Sequence, residues 1–279
     1  MAGSVYIEFG SISPYGRRQL VILVHGYANS KDAASSSFQV CIDNLQGLPT
    51  PASTSLPSPI FKFYWPGDTQ IRAFSELSYP TEIEPATESG RRLAEFLETL
   101  VGPNGTPTEV HLIAHSLGNR VTLEMLKAFS ATQSSVVFRS ISMMAAAVPV
   151  PMVGYGASLW DSWRIVRRSQ VLCSVSDQVL HLAFPIGETA AFEGFFPEAI
   201  GRFGNPIGNW DKILPLNDHG HGSYWPSVAT APFLASFMEM PVNPPLLANA
   251  VRGRRAGPTR RIQSSQTAPI RKIKARDIG

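Results

Sequence analysis

Seven short runs of apolar residues, rich in β-branched and aromatic side chains, recur along the first 216 residues of the chain. Uninterrupted apolar runs of this length are typical of central parallel strands that are buried on both faces. We therefore predict seven strands, from Val5 to Phe9, Leu20 to Val24, Ile60 to Tyr64, Val110 to Ala114, Val136 to Met144, Val171 to Val175 and Lys212 to Leu216.

The segments between these runs carry helical patterns. From Thr81 to Leu100, apolar residues recur at spacings of three and four with charged residues on the other side, as expected of an amphipathic helix. Further helices are predicted from Asp32 to Leu48, from the residues after Ser116 through Leu126, and near Ser227 to Met240. Strands that alternate with helices predict a doubly wound α/β fold with a parallel sheet.

Charge is distributed unevenly along the chain. The net charge is +3, yet residues 249–279 hold nine Lys and Arg against one acid, a charge of +8, which leaves the first 248 residues near −5. We predict one domain over residues 1–248 and a disordered tail over 249–279, where arginines alternate with Pro, Ser, Thr and Ala. The charge of the tail suits an anionic partner, a membrane surface or nucleic acid, and a solvated extension without a partner is the alternative.

Cysteine usage and the amino-terminal residues indicate a cytoplasmic protein. Cys41 and Cys173 lie far apart with no metal-ligand spacing, which suits a reducing compartment and two buried small side chains. The first residues lack the basic start and apolar stretch of a secretory signal. The most apolar later stretch, Ile141 to Val153, contains two prolines and is shorter than the roughly 20 residues that a membrane helix needs.

The apolar run from Val110 breaks at Ser116 and continues as a helical pattern, in the sequence V-H-L-I-A-H-S-L-G-N-R-V. This is the pattern of a nucleophile elbow, a strand-to-helix corner that exposes the serine hydroxyl in front of a helix N-terminus. The residues two before and two after the serine must be small, and they are Ala114 and Gly118. We therefore predict that Ser116 is a nucleophile.

A serine hydroxyl needs a histidine to accept its proton and a carboxylate to orient that histidine. In folds built around such an elbow, the chain order is serine, acid, histidine. Asp177 directly follows a predicted strand, at the carboxyl end where open α/β sheets place their sites. We choose Asp177 as the acid, with a helix-capping role as the alternative interpretation and Asp161 and Asp211 as fallbacks.

The base is expected in the segment N-D-H-G-H-G-S-Y-W, which contains His219 and His221. Glycines on both sides free the backbone around His221, so we choose His221 and keep His219 as the alternative base. The histidine pair beside Asp218 also suggests a metal site, but no other ligand cluster accompanies it, and we predict no metal.

An oxyanion hole requires two backbone N–H groups, one from the residue after the nucleophile and one from a loop after an early strand. Leu117 supplies the first. The segment V-I-L-V-H-G-Y supplies the second at Tyr27. His25 precedes the serine in the chain, so we expect it to organise this loop, and we expect His111 and His115 to be structural.

Two regions do not follow the alternating pattern of strands and helices. Residues from Thr50 to Pro59 form a Pro- and Ser-rich loop, and the segment from Leu182 to Asn209 is dense in Phe, Gly and Pro. For the second segment we favour a long connection whose phenylalanines pack on the core. The alternative is a cap over the active site, because long irregular excursions are often lids. The phenylalanines concerned are Phe184, Phe192, Phe195, Phe196 and Phe203.

The motifs H-G-Y-A-N-S at residues 25–30, Y-W-P-G-D at 64–68, A-H-S-L-G-N-R-V at 114–121, S-D-Q-V-L at 176–180 and H-G-S-Y-W at 221–225 together resemble the α/β-hydrolase superfamily. Within it, the chain is similar to an uncharacterised group of mostly bacterial hydrolases with H-G-Y, W-P and A-H-S-x-G-N motifs. The resemblance covers about residues 18–240. It implies an eight-stranded, mostly parallel sheet with helices on both faces, an esterase-like mechanism, no cofactor, and a triad of Ser116, Asp177 and His221. The chain departs from the usual pattern where Ala114 replaces the first elbow glycine.

Together these features predict a serine hydrolase of carboxylic esters, esterase- or lipase-like, that acts on a small-molecule or lipid ester or on an acyl thioester. An amidase or a lactonase would use the same residues, because a fold does not specify a substrate. The alternative, from a different class, is an interaction or scaffold protein with a silent site. Acylation of Ser116 separates these two hypotheses.

Overall fold

The computed structural model describes residues 5–8, 13–27, 30–48, 59–67, 79–100, 102–130 and 136–240. The predicted basic tail over 249–279 and nearly all of the predicted loop from Thr50 to Pro59 lie outside these residues.

Seven strands form one sheet within the described residues, in the order β1-β3-β2-β4-β5-β6-β7. All neighbouring strands are parallel except β1, which pairs antiparallel with β3 at the edge. The prediction of a mostly parallel α/β sheet is confirmed. The resemblance implies an eighth strand, which is not found within the described residues. Each of the seven apolar runs forms one strand, and no further run is available there. The strands are β1 Tyr6–Glu8, β2 Gln19–Val24, β3 Ile60–Tyr64, β4 Thr108–His115, β5 Val136–Met144, β6 Ser169–Cys173 and β7 Lys212–Pro215.

The four predicted helices are present, the last one shorter than predicted, and two further short helices lie in the segment that was predicted to be irregular. The helices of the described residues are α1 Lys31–Gln46, α2 Ile83–Glu98, α3 Gly118–Ser130, α4 Phe184–Ala190, α5 Ile200–Phe203 and α6 Ala231–Phe237. The strand order reverses direction at β2, so right-handed connections place α1 on one face of the sheet and α2 and α3 on the other. The packing of α1 on α6 and of α2 on α3 agrees with this division.

The core is dominated by the central strands. Leu20 to Val24 of β2 and Val110 to Ala114 of β4 are buried almost completely, as predicted from their continuous apolar sequence. Cys41 and Cys173 are also buried, neither is in a disulfide, and burial raises the pKa of the Cys41 thiol to about 12. None of the described helices combines the length and apolar character needed to cross a bilayer.

The segment from Leu182 to Asn209 differs from its prediction. It contains α4 and α5, and a π-helical turn, Val179–Ala183, leads into it. The interpretation that its phenylalanines pack on the core is wrong except for Phe184, because the core side of the segment is already filled by Leu180, Phe184 and Ile200. The other four side chains are solvent-exposed: Phe192 by 97%, Phe195 by 85%, Phe196 by 56% and Phe203 by 43%.

Candidate active site

Ser116 lies in a tight turn between β4 and α3. Its φ angle is +53°, in the left-handed region that a non-glycine residue adopts only when the surrounding structure enforces it. The enforcing contacts are hydrogen bonds: Ser116 N donates to the Met144 carbonyl at 3.0 Å, and the Ser116 carbonyl accepts from the backbone N–H groups of Asn119 and Ala147. The turn is therefore held on both sides by the backbone of neighbouring segments.

The Asn119 side chain strengthens this turn. Its Nδ2 donates to the carbonyls of Ser116 at 3.0 Å and of Met144 at 3.1 Å, and the residue is completely buried. The sequence reasoning did not single it out. Its place three residues after the serine, in the first turn of the helix behind the elbow, is the signal that would have identified it. Asn119 ties the elbow to the end of β5.

Two glycines let the loop after β2 lie directly against the elbow. A Cβ at Gly118 would lie 2.2 Å from the His25 carbonyl oxygen, and a Cβ at Gly26 would lie 2.6 Å from the Cβ of Ser116. Both distances are too short for any side chain. The elbow pattern predicts a small residue at Gly118, and the structure shows that Gly118 and Gly26 each also permit contact between these two loops.

His221 links Ser116 and Asp177. Its Nε2 lies 2.8 Å from Ser116 Oγ, and its Nδ1 lies 2.8 Å from Asp177 Oδ2. An ionised carboxylate only accepts hydrogen bonds, so Nδ1 carries the proton that is donated to Asp177, which leaves Nε2 free to accept from the serine hydroxyl. Asp177 is fully buried, and its other oxygen accepts from Leu180 N at 3.0 Å. The carboxylate thus caps the following helix as well as contacting His221.

The sheet explains why these residues meet. Ser116 directly follows β4, Asp177 follows β6 by four residues, and His221 follows β7 by six. Because the three strands are parallel, their carboxyl ends lie at one edge of the sheet, where α/β folds gather functional side chains. Side chains separated by 105 residues are brought into hydrogen-bonding contact in this way.

His115 contacts the backbone of the loop that contains His221. Burial, and then the neighbouring His221, lower the pKa of His115 to about 3, so the ring is neutral. Its Nε2 lies 2.7 Å from the His221 carbonyl oxygen and must carry the hydrogen, because a carbonyl can only accept. The sequence placed His115 among structural residues, and the structure gives it a specific contact with the backbone of His221.

His25 organises the loop after β2, as expected. Its Nε2 accepts a hydrogen bond from Trp65 N at 3.2 Å, so Nδ1 carries the proton and donates to the Gly26 carbonyl at 2.8 Å. The Trp65 indole N–H donates to the His25 carbonyl at 2.8 Å, and the two rings stack with centroids 5.6 Å apart. The H-G-Y and W-P motifs therefore pack together as one unit, and this unit contacts the elbow.

The two predicted oxyanion donors belong to these adjoining segments. Leu117 is buried, and its N–H donates to no acceptor within the part of the chain that the structure describes. Tyr27 directly follows Gly26, whose Cα approaches the elbow, and its side chain is half-buried. Both residues therefore flank Ser116, one on each side of the contact between the loops.

The remaining candidates lie elsewhere. His219 Nδ1 contacts Asp218 Oδ1 at 3.0 Å and its Nε2 contacts Ser227 Oγ at 2.9 Å, so both ring nitrogens are directed away from Ser116. Asp211 accepts from Ser169 N and Oγ at the amino end of β6, which is the opposite edge of the sheet. Asp161 is exposed, so neither fallback acid reaches His221.

The fold and the position of Ser116 define an α/β hydrolase. A family model described as alpha/beta hydrolase of unknown function, DUF900, matches residues 9–191, which is more than half of the chain. The protein belongs to this family. A search of curated proteins finds no significant match.

Solved structures resemble most of the chain at low sequence identity. A Thermus thermophilus protein, TT1662, is 15% identical with a TM-score of 0.45, and the match covers 84% of this chain and 92% of that one. A monoacylglycerol lipase from Paleococcus ferrophilus is 14% identical with a TM-score of 0.42 and coverage of 84% and 100%. A dienelactone hydrolase from Anabaena variabilis is 11% identical with a TM-score of 0.43 and coverage of 86% and 99%.

Proposed function

We propose that the protein is a serine hydrolase of carboxylic esters in which Ser116 is the nucleophile, His221 the general base and Asp177 the residue that orients His221. The observation that carries the proposal is the pair of 2.8 Å contacts that His221 makes, one through each ring nitrogen. A histidine in this arrangement accepts the serine proton while the buried carboxylate stabilises the imidazolium that forms.

In the first half of the reaction, Ser116 Oγ attacks the ester carbonyl carbon, and its proton passes to His221 Nε2. The carbonyl oxygen becomes an oxyanion, to which the backbone N–H groups of Tyr27 and Leu117 donate hydrogen bonds. The tetrahedral intermediate then collapses: the bond from carbon to the leaving oxygen breaks, and His221 returns the proton to the departing alcohol. The products of this half are the free alcohol and an acyl group on Ser116.

In the second half, His221 accepts a proton from water, and the hydroxide formed attacks the acyl carbon. Collapse of the second tetrahedral intermediate releases the carboxylic acid, and Ser116 recovers its proton from His221. A thioester would follow the same steps with a thiol as the leaving group. The enforced left-handed turn at Ser116 keeps the hydroxyl in place through both halves, because the Asn119 contacts do not depend on substrate.

Labelling with a fluorophosphonate, which phosphonylates activated serines, tests this proposal. We expect one adduct on the intact protein, located at Ser116 by peptide mass, and no adduct on Ser116→Ala. His221→Gln should reduce the labelling rate by roughly three to four orders of magnitude, since the base is lost. The matched control is His219→Gln, two residues away on the same loop, which should label at the rate of the intact protein.

Three results would contradict the assignments. Labelling that survives in His221→Gln and disappears in His219→Gln would transfer the role of base to His219. An adduct on another serine would remove Ser116 from the mechanism. A complete lack of labelling in the intact protein, together with no turnover of p-nitrophenyl esters, would favour the alternative of an interaction protein with a silent site.

A further inference from the structure

A cluster of large apolar side chains is exposed in the segment that follows Asp177, and exposed apolar clusters often mark interaction sites. Six side chains form it, and we refer to them as the apolar rim: Val179, Leu182, Ile186, Phe192, Phe195 and Phe196. Their exposed fractions range from 45% to 97%. The rim starts two residues after Asp177, whose carboxylate accepts from the N–H of Leu180 in the same helical segment.

The helical segment that carries part of the rim is apolar on two faces, one toward the core and one toward solvent. Leu180 and Phe184 point into the core and are 1% and 2% exposed, which accounts for one face. Val179, Leu182 and Ile186 follow at spacings of three and four residues and are 45%, 57% and 53% exposed. A helix at a protein surface usually carries polar residues on its outer face, so this second apolar stripe has no explanation in the packing of the domain.

The phenylalanines continue the stripe at the end of α4. The chain folds back on this helix through hydrogen bonds from Phe192 N to the Thr189 carbonyl and from Phe196 N to Thr189 Oγ1. Phe192 and Phe196 have φ angles of +61° and +45°, a backbone conformation that bulky residues rarely adopt. Two aromatic rings are therefore held outward at positions where Gly or Asn would be easier to accommodate.

The acidic residues of the same segment are turned inward. Glu188 is 1% exposed, Glu193 forms an ion pair with the buried Arg120 at 3.4 Å, and Glu198 accepts from Asn205 Nδ2 at 2.6 Å. Beside the rim, the guanidinium of Arg202 lies 5.0 Å from the ring centre of the exposed Phe203. The outer face of the segment thus combines apolar side chains with a cation, and its carboxylates are engaged on the protein side.

We propose that the apolar rim docks the protein on the surface of an anionic lipid bilayer. Aromatic and aliphatic side chains that project beyond the protein surface enter the region of the headgroups and upper acyl chains, and nearby cations contact anionic headgroups. The charge pattern fits this occupant, because the carboxylates that would repel such a surface are engaged inside. By sequence, residues 249–279 carry a charge of +8, which is also complementary to an anionic lipid surface.

Docking through the rim brings the carboxyl edge of the sheet, and with it Ser116, next to the lipid. The substrate class of the reaction would then be lipid esters delivered from the bilayer. This consequence rests on the proposed function, whereas the docking itself does not, so the test below measures binding without any catalytic step.

Vesicle sedimentation tests the docking. The full chain is mixed with vesicles of phosphatidylcholine alone and of equal parts phosphatidylcholine and phosphatidylglycerol, and the triple variant Phe192→Asn, Phe195→Ser, Phe196→Asn is compared with it. Asn tolerates the positive φ angles, so thermal unfolding should be unchanged. We expect the intact protein to bind the anionic vesicles and the triple variant to bind on the order of a hundredfold more weakly, because three rings no longer leave water.

The matched control is Tyr155→Ser. Tyr155 is 91% exposed, and its ring packs on Trp160, which lines a cleft with Ser169 and Asp211 at the amino edge of the sheet, away from the rim. This variant should bind vesicles as the intact protein does. Equal loss in both variants would overturn the assignment of the surface.

Three further outcomes would overturn the proposal. Vesicle binding that the triple variant retains, and that high salt abolishes, would assign binding to the basic tail alone. A dimer of the intact protein that becomes monomeric in the triple variant would make the rim an interface between two copies. Absence of binding to either vesicle would exclude docking, and it would leave labelling of Ser116 by the fluorophosphonate unaffected as a separate result.

Discussion

The contact between Gly118 and the loop after β2 provides the sharpest test of the site geometry. Substitution of Gly118 by alanine adds one methyl group at the first residue of α3. Helix propensity alone predicts that this change stabilises the protein by up to about 1 kcal/mol. The structure predicts the opposite sign, because the new Cβ would lie 2.2 Å from the His25 carbonyl oxygen and 2.9 Å from the Val24 carbonyl oxygen.

The size of the effect follows from these distances. To reach even 3.0 Å from the His25 oxygen, the turn and the strand end must separate by about 0.8 Å, and both are backbone segments of the buried core. Overpacking of this kind costs about 3 kcal/mol at the upper end of its usual range. After the gain in helix propensity, a net loss of about 2 kcal/mol in the free energy of unfolding remains, which lowers Tm by roughly 4 to 8 °C.

The same displacement affects catalysis under the proposed function. Ser116 and Leu117 would shift by close to 1 Å relative to Tyr27, and a misplacement of that size lowers the rate on the order of a hundredfold. The assays are thermal unfolding and turnover of p-nitrophenyl acetate. The control is Gly222→Ala, because a Cβ at Gly222 meets nothing within 4 Å, so the free energy of unfolding should stay within about 0.5 kcal/mol of the original value.

A Gly118→Ala protein as stable and as active as Gly222→Ala would refute the reasoning. It would mean that the elbow and the loop after β2 are farther apart than their backbone positions indicate, or that the turn relaxes at little cost. Loss of stability with unchanged kcat would refute only the catalytic part, because it would separate the position of Ser116 from the packing of Gly118.

Three further predictions use other parts of the molecule. Burial lowers the pKa of His111 to about 4 and of His115 to about 3, so the unfolded state binds more protons than the folded state below the ordinary pKa of 6.5. The free energy of unfolding should therefore fall as pH falls, by about 2 kcal/mol per histidine from pH 7 to pH 5. His111→Asn should remove the contribution of one histidine to this loss, as measured by urea unfolding at both pH values. Asn119→Ala leaves the two elbow carbonyls without their side-chain donor, and we expect a loss of about 1 to 3 kcal/mol with a lower kcat for p-nitrophenyl acetate. Arg120→Met takes the buried guanidinium away from Glu124, whose carboxylate then keeps only Lys127 at 3.8 Å, and should cost about 3 kcal/mol in urea unfolding.

Each of these predictions has a result that would contradict it. A stability profile in which His111→Asn and the intact protein change equally with pH would show that His111 is protonated in the folded state. Full activity in Asn119→Ala would show that the backbone alone holds the elbow. For Arg120→Met the comparison is Arg91→Met, whose pairs with Glu88 and Glu95 are exposed to solvent and should contribute much less to stability. Similar losses in both variants would contradict the role of burial.

The prediction of the fold succeeded because it used local signals. Continuous apolar runs identify strands buried on both faces, and the spacing from Thr81 to Leu100 identifies a helix, without any knowledge of the partners. The limits of β6 were less accurate. Its run extends to Val175, but the strand ends at Cys173, because Ser174 N leaves the sheet to donate to the Gly201 carbonyl. That bond depends on a residue which the apolar pattern does not include.

For the candidate site, chain order and the ends of strands led to the choice of Ser116 and Asp177 and limited the choice of base to one loop. Sequence could not choose firmly between His219 and His221, since two residues of separation on one loop leave both rings within reach. Only the packed structure shows that Asp218 and Ser227 engage His219. The roles of His115 and Asn119 are likewise tertiary, because their partners are backbone carbonyls, which no side-chain pattern records.

The amino-acid sequence by itself determined the α/β class, the order of its elements and the residues that follow three of the parallel strands, because apolar periodicity and turn chemistry act over a few residues. Only the tertiary structure decided which faces remain uncovered. The phenylalanines from Phe192 to Phe196 look like core residues in the sequence, but the core beneath them is already filled by Leu180 and Phe184. Burial is decided by the volume left after all elements have packed, and that volume depends on the entire fold.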